Sequence, residues 1–433
     1  MTRQAAAVGV ALAALVALLG WPVPIGMGSH ALGGGGGDFH AIAWGLWARP
    51  LGRIDTVLHP LGSVLVVSNP PEVFLLAPLT WLFGPVATHN LWQLLHVGLA
   101  GGLAYALCRR EAGPAGSVAG AVAFGLCGVL LGGIHNGNAD VTPLYWLPAV
   151  ALLGGRPVLA GLAAGVGAWC NPYVGVGCAV VLAACVPWRA WWKALPAAGV
   201  VAGAYLALMR WSLGEPGTMV HKTVGEVRGA SLSELVWAPG SPLNDQGTVD
   251  VAWLGVVAVG LAVAGLGRSR WVLVALVGAG LATGPAWLAE LPGLDALRIA
   301  YRYAALASLG VAVLVARGVE RLPGGWIWVL VLASDQLRVG AELVASGPVR
   351  DDTVCELLAG REPGPVLNVP AELDERYLLD QTCHGFPVGS GLNRRPGPQL
   401  MRAAQRGRLD VLREQGFRYL IHHRREGPEV VEL

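Results

Sequence analysis

The sequence predicts an all-α polytopic membrane protein with a small extracytoplasmic α/β domain at its C-terminus. Composition is the first reason: of 433 residues 54% are hydrophobic and only 13% charged, with a mean hydropathy of +0.54, against roughly 25% charged residues in soluble domains. The second is that Lys and Arg of the short loops fall on alternate ends of the apolar runs, as they do when basic loops stay in the cytoplasm. The third is a change of character over the last ninety or so residues, where charge rises and short strand-like runs appear. A net charge of +2 gives no electrostatic footprint for nucleic acid.

Taken in order, Met1 to Leu19 has a basic start and an apolar run, and reads as an uncleaved membrane anchor ending at Trp21 and Pro22. Further apolar spans are expected near 88 to 108, 115 to 134, 141 to 155, 157 to 171, 173 to 188, 192 to 210, 249 to 267, 271 to 289, 299 to 317 and 325 to 341, about eleven in all. Arg3, Arg109 with Arg110, Arg156, Arg189 with Lys193, Arg268 with Arg270, and Arg317 with Arg321 then share the cytoplasmic side. The segment Val64 to Pro85 is expected as one helix lying in the interface, because a further crossing would carry Arg109 and Arg110 outside. Residues 1–341 form the transmembrane domain, with a first outer loop at 23–87, and residues 342–433 form the tail. Short strands are expected at Pro365 to Pro370 and Phe417 to Ile421, and a helix from Gln399 to Gln415. Gly98, Gly101, Gly102 and Gly120 suit close helix contact in lipid. Five cysteines sit in apolar runs as packing residues, whereas Cys355 and Cys383 lie in the tail, where a disulfide would persist.

The outer loops collect Asp38, His40, Asp55, His59, His135 and Asp140. Acids within the spans are nearly absent, which disfavours an ion-coupled transporter, since proton and cation relays need such groups at mid-membrane. Asp38 follows a run of five glycines, Gly33 to Gly37, and precedes Phe39, Ile42, Trp44, Leu46 and Trp47, which would form an amphipathic helix in the interface. It reads either as a positioned acid or as the N-cap of that helix. Asp140, ahead of Pro143, carries the same two readings. Asp38 with His40 and Asp55 with His59 are possible ligand pairs for a divalent metal, though the spacing is loose. Arg298 and Arg302, one helical turn apart at the outer end of a span, would present two guanidinium groups to a phosphate or snorkel to the interface beside Tyr301 and Tyr303.

An N-in helix, an acid in the first outer loop and a second acid two spans later resemble the GT-C glycosyltransferase superfamily. The local wording agrees: Leu58-His59-Pro60-Leu61-Gly62, Asn69-Pro70-Pro71, Ala77 to Pro85, Asn90 opening a span and Arg109-Arg110 closing it. In the tail, Leu367-Asn368-Val369-Pro370, Gln381 to Gly385 and Gly416 to Leu420 are similar to the family's phrases. The resemblance implies a bacterial cytoplasmic-membrane enzyme, N-terminus in and tail outside, that moves a sugar from a polyprenyl-phosphate donor to a lipid, glycan or protein acceptor with inversion. It makes Asp38 the loop-one acid and Asp140 the second-loop acid, with Arg298, Arg302 or Lys222 on the departing phosphate and His40, His59 and His221 as further candidates there. Asp38 stands alone, without a paired Asp-x-Asp, so metal use stays open. A lipid-linked glycan flippase or export subunit, or a non-catalytic envelope scaffold, would share the fold.

Overall fold

The computed structural model describes residues 2–36, 38–49, 51–66, 69–214, 229–237, 252–285, 287, 297, 299–349, 353–370, 374–390, 398–424 and 427–433. Helix dominates. The body begins with α1 (Arg3–Leu19), α2 (Phe39–Ala48), α3 (Pro70–Leu75), α4 (Ala77–Cys108), α5 (Pro114–Gly125), α6 (Gly128–His135) and α7 (Trp146–Leu152). It continues through α8 (Pro157–Cys170), α9 (Pro172–Cys185), α10 (Trp191–Gly214), α11 (Leu232–Val236), α12 (Val256–Ala264), α13 (Arg270–Ala282), α14 (Ala304–Arg321) and α15 (Gly325–Leu343). Small residues set the helix spacing: a Cβ on Gly9 of α1 would lie 2.3 Å from the Gly98 carbonyl oxygen of α4, and one on Gly120 would lie 2.8 Å from that of Ala312 in α14. Helix α14 is buried on nearly every side, as its all-round apolar sequence requires.

Among the described residues three helical stretches are long and apolar enough to cross a membrane: Ala77–Cys108, Pro114–His135 and Ala300–Arg321. A fourth exists if Pro172–Cys185 and Trp188–Leu208, bent by 117°, make one span. Expected spans at 141 to 155 and 249 to 267 are represented by helices of 7 and 9 residues. The first is preceded by the turn around Pro143, and the second opens at Gly255, whose φ is +96°. The expected interfacial helix from Val64 to Pro85 is corrected. Its start is the strand β3 (Ser63–Val66), paired antiparallel with β2 (Leu51–Ile54), because a Val-Leu-Val run favours a strand. Asn69 then caps α3 through a bond from the Glu72 N–H. The remainder is the first part of α4, broken at Gly84 (φ 79°, ψ 169°) ahead of Pro85.

The basic loops gather at one end of the bundle. Arg317 pairs with Glu111 at 2.6 Å, the Gly116 N–H donates to Glu320 at 3.2 Å, and Arg321 donates to the carbonyls of Ala264 and Leu266. At the other end Asn90 of α4 accepts from the Leu32 N–H at 3.0 Å and donates to the carbonyls of Met27 and His30. A two-residue strand β1 (His30–Ala31) pairs there with β4 (Gly347–Pro348).

The C-terminal part is α/β. The strand β5 (Val366–Val369) lies parallel to β6 (Tyr419–Arg424), which pairs antiparallel with β7 (Gly427–Glu432). Four helices surround the sheet: α16 (Thr353–Leu358), α17 (Asp374–His384), α18 (Pro398–Gln405) and α19 (Leu409–Glu414). The single expected helix from Gln399 to Gln415 is therefore two, divided at Gly407, whose φ is +67°. The loop between α2 and α3 docks beside this sheet, on residues 388–390. His59 N–H donates to the Val388 carbonyl at 3.0 Å, Val388 N–H to Thr56 at 2.9 Å, and Leu58 N–H to Ser390 at 3.0 Å. Trp44, Val57, Phe386, Val388, Tyr419 and Ile421 make the shared apolar core.

Cys355 and Cys383 are bonded, with Cα atoms 5.9 Å apart, and the bridge ties α16 to α17. The five remaining cysteines are free and buried. Peptide mapping under non-reducing conditions should recover Cys355 and Cys383 as one linked pair. Two free thiols in protein taken directly from the membrane would disprove the pairing.

Candidate active site

The glycine run and the loop after α6 meet. Gly33, Gly34 and Gly35 have φ of 76°, 80° and 70°, a left-handed conformation that residues with a Cβ adopt at a cost. At Gly33 a Cβ would lie 2.2 Å from the Ile134 carbonyl oxygen. This approach delivers Asp38 to the loop after α6, where its N–H donates to the Asn136 carbonyl at 3.0 Å. With the Asn138 amide oriented to satisfy its neighbours, its nitrogen donates to Asp38 Oδ2 at 2.9 Å and to the Asn136 carbonyl at 3.2 Å. Gly137 between them has a φ of +66° and would bring a Cβ to 2.5 Å from that of Phe39. Asp38 occupies the N-cap position of α2, yet its carboxylate makes no capping bond and is exposed. Of the two readings of Asp38, the cap is therefore the one without a hydrogen bond to support it.

Arg302 approaches the same loop from the other side. It lies in a 3₁₀ turn, Ala300–Tyr303, which precedes α14, so the helix expected from 299 begins five residues later. Arg302 lines a small cleft with Asn136, Asn138, Val141 and Tyr301. Its other side borders a narrow space walled by Leu144, Leu147, Tyr173 and Leu306, and its guanidinium stands 5.2 Å from the Tyr173 ring centre. One cation thus sits between an amide-lined cleft and an apolar one. Asp140 occupies the 3₁₀ turn Ala139–Val141. It is half-buried, and its carbonyl accepts from Asn171 at 3.2 Å. Pro143 lies before α7 and not in its first turn.

No protein-family model and no curated protein matches this sequence. Solved structures do. The mycobacterial arabinofuranosyltransferase AftD superposes with a TM-score of 0.61 at 18% identity, over 98% of this chain and 35% of AftD. A mutant form of AftD gives 0.60 at 18% identity over 98% and 37%. The Archaeoglobus fulgidus oligosaccharyltransferase, in complex with Zn and sulfate, gives 0.51 at 14% identity over 97% and 68%. The chain has the GT-C fold. It spans about a third of the length of AftD, 35% of that chain.

Within this GT-C fold the remaining sequence candidates separate. His40 is half-buried beside Phe39, with ring centres 5.4 Å apart, and burial, with a smaller contribution from Arg376, pushes its pKa down to about 4. Burial thus favours the neutral imidazole there. Asp55 and His59 belong to the segment docked on the tail, where His59 packs edge-on against Phe417 at 5.1 Å. His135, half-buried in the last turn of α6, leaves Nδ1 buried with no partner among the described residues. Lys222, His221 and Arg298 lie outside the described residues, so the two-guanidinium clamp has only Arg302 on view. Among the described residues no three His, Cys, Asp or Glu side chains converge to hold a metal ion. The Asp38-x-His40 and Asp55 to His59 pairs therefore do not build a three-ligand centre there, and no chemical step is assigned to a metal.

Sequence reading missed Asn136, Asn138 and His89, whose Nε2 meets the Gly137 carbonyl at 2.9 Å. It also missed a buried cluster around Glu72 and His96. The available signal was Asn69 followed three residues later by Glu72, the spacing of an N-cap that closes on an acid.

If the contact between the two loops depends on glycine, adding one methyl should disturb it. Gly137→Ala is expected to lower stability by about 1–3 kcal/mol, since both its positive φ and the Phe39 backbone oppose a Cβ. Gly36→Ala, with open space around its added Cβ, should change little. Thermal unfolding of the two purified variants checks the difference.

Proposed function

We propose that this protein is a membrane glycosyltransferase that moves a sugar from a polyprenyl-phosphate donor to an extracytoplasmic acceptor, a lipid, glycan or protein, with inversion. In this reading about eleven helical segments lie in a bacterial cytoplasmic membrane, with the basic loops in the cytoplasm and Asp38 and the tail outside. The observation that carries it is Asp38: an exposed carboxylate at a helix start, unused as a cap and held by one amide, beside a cleft containing a cation. The fold supports the same class, since both neighbours are named as glycosyltransferases. Neither name assigns the sugar here.

Asp38 takes the proton of the acceptor hydroxyl as that oxygen attacks the anomeric carbon. The bond to the phosphate oxygen breaks on the opposite face, which inverts the centre. Phosphate is already a good leaving group, and Arg302 stabilises its charge. The narrow space on the far side of Arg302, walled by Leu144, Leu147 and Leu306, is where the first part of the lipid would leave. Asn136 and Asn138 offer amides to sugar hydroxyls, and Asp140 assists from the same loop.

Two substitutions test the assignment. Asp38→Asn keeps the shape and the bond to Asn138 but cannot take a proton, so transfer should fall by about 100-fold or more while abundance and membrane insertion stay normal. Near wild-type transfer would remove Asp38 as the base from the mechanism. Arg302→Lys retains charge but loses the planar fork. Weaker use of the polyprenyl-phosphate donor is expected, read as transfer at limiting donor.

A further inference from the structure

A second carboxylate is buried beneath the outer loops. Glu72, in α3, accepts from Asn69 Nδ2 at 2.6 Å, Trp92 Nε1 at 2.5 Å, His96 Nε2 at 2.8 Å and the Tyr145 hydroxyl. Burial alone would raise its pKa, but the charge of His96 and the bonds from His96, Tyr145 and Trp92 outweigh this and hold it below the usual carboxylate range. The other ring nitrogen of His96, Nδ1, meets Thr142 Oγ1 at 2.7 Å. Thr142 closes the turn that carries Asp140, its hydroxyl reaching the Ala139 carbonyl at 2.9 Å.

His89 and His96 stand seven residues apart, two turns of α4, and so share one face. One ring meets the loop at Gly137 and the other at Thr142. Between these two anchors lie Asn138 and Asp140. A buried ion pair is a poor way to hold two helices together, because apolar side chains of the same volume do as well or better. What it adds is a fixed geometry for the groups it bonds.

We propose that Glu72, acting through His96 and Thr142, is the positioning residue that fixes the loop bearing Asn138 and Asp140 against Asp38. The proposal rests on the site assignment above, and its principal test does not depend on catalysis. Hydrogen exchange is measured on the full-length protein in detergent micelles for wild type, Glu72→Gln and Thr142→Val, comparing residues 134–142 with the far half of helix α14, residues 312–321, which packs on Gly116 and Gly120. Exchange in the loop should quicken by about 10-fold, one decade of local opening, with α14 unchanged. In transfer assays kcat should drop by up to about 100-fold, as misplaced groups do, with KM for the donor unchanged within about twofold. Glu72→Asp, which keeps the charge, should recover part of the loss. Unchanged loop exchange in both variants would overturn the proposal, as would loosening that spreads equally to α14, the mark of a general loss of stability. Should Glu72→Gln fail to fold, Thr142→Val, which is close in shape, decides alone. A faster-exchanging loop in a protein that transfers no sugar even as wild type would uphold the positioning role and refute the enzyme reading.

Discussion

The candidate site depends on the approach of two loops, one before α2 and one after α6, at a distance that a single Cβ would prevent. Gly33 lies on the Ile134 carbonyl, and Gly137 on the backbone of Phe39. Between these contacts the Asp38 N–H and carboxylate reach Asn136 and Asn138. Gly33 and Gly35 of the polyglycine stretch are thus less a flexible hinge than a close-packed surface. Its left-handed residues are the cost of bringing an acid from the start of α2 to a loop about 100 residues further along the chain. Arg302 completes the arrangement from the 3₁₀ turn ahead of α14.

The tail secures the opposite side of α2. Trp44 donates to Gln381 of α17 at 2.8 Å, and the Gln381 amide in turn donates to the carbonyls of Thr56 and Phe386. Phe39 and Ala43 pack with Leu379 in one apolar cluster. Helix α2 is consequently enclosed by α4 and α17, in place of the expected position in the lipid interface, and its Phe39, Trp44 and Leu46 are fully buried. The disulfide two residues after Gln381 anchors α17 to α16. Tail and acid are in this way mechanically linked, and residues 56–59 bond to the 388–390 segment, which itself bridges to β5 at Val366.

Much of this was legible in residue type. Asp38 announced itself by standing alone after five glycines, Arg302 by being a cation where the charge pattern disfavours one, and Cys355 and Cys383 by lying in the polar tail. Helix lengths were less legible, because apolar composition does not register the turn at Gly255 or the short α7, which only tertiary contacts define. The split of Val64 to Pro85 was missed because its strand owes its existence to a partner strand earlier in the chain, Arg53 opposite Val64 being one pair. Glu72 escaped for a different reason. A carboxylate ahead of an apolar run looks like an interfacial charge, and only the fold reveals that His96, Trp92 and Tyr145 converge on it.

The two carboxylates divide by how fully they are bonded. A carboxylate offers about four lone-pair sites. Four side-chain donors reach Glu72 inside the protein, three on Oε2 and the Tyr145 hydroxyl on Oε1, so the carboxylate is tied to its neighbours from both oxygens. Asp38 faces solvent with one amide on one oxygen among the described residues, which fixes its direction and leaves the other oxygen open to an incoming hydroxyl. General-base catalysis needs that second condition and a rigid frame needs the first. In the proposed mechanism the same functional group thus serves two purposes in adjoining layers, and the number of donors on each carboxylate, not charge or position in the sequence, separates them.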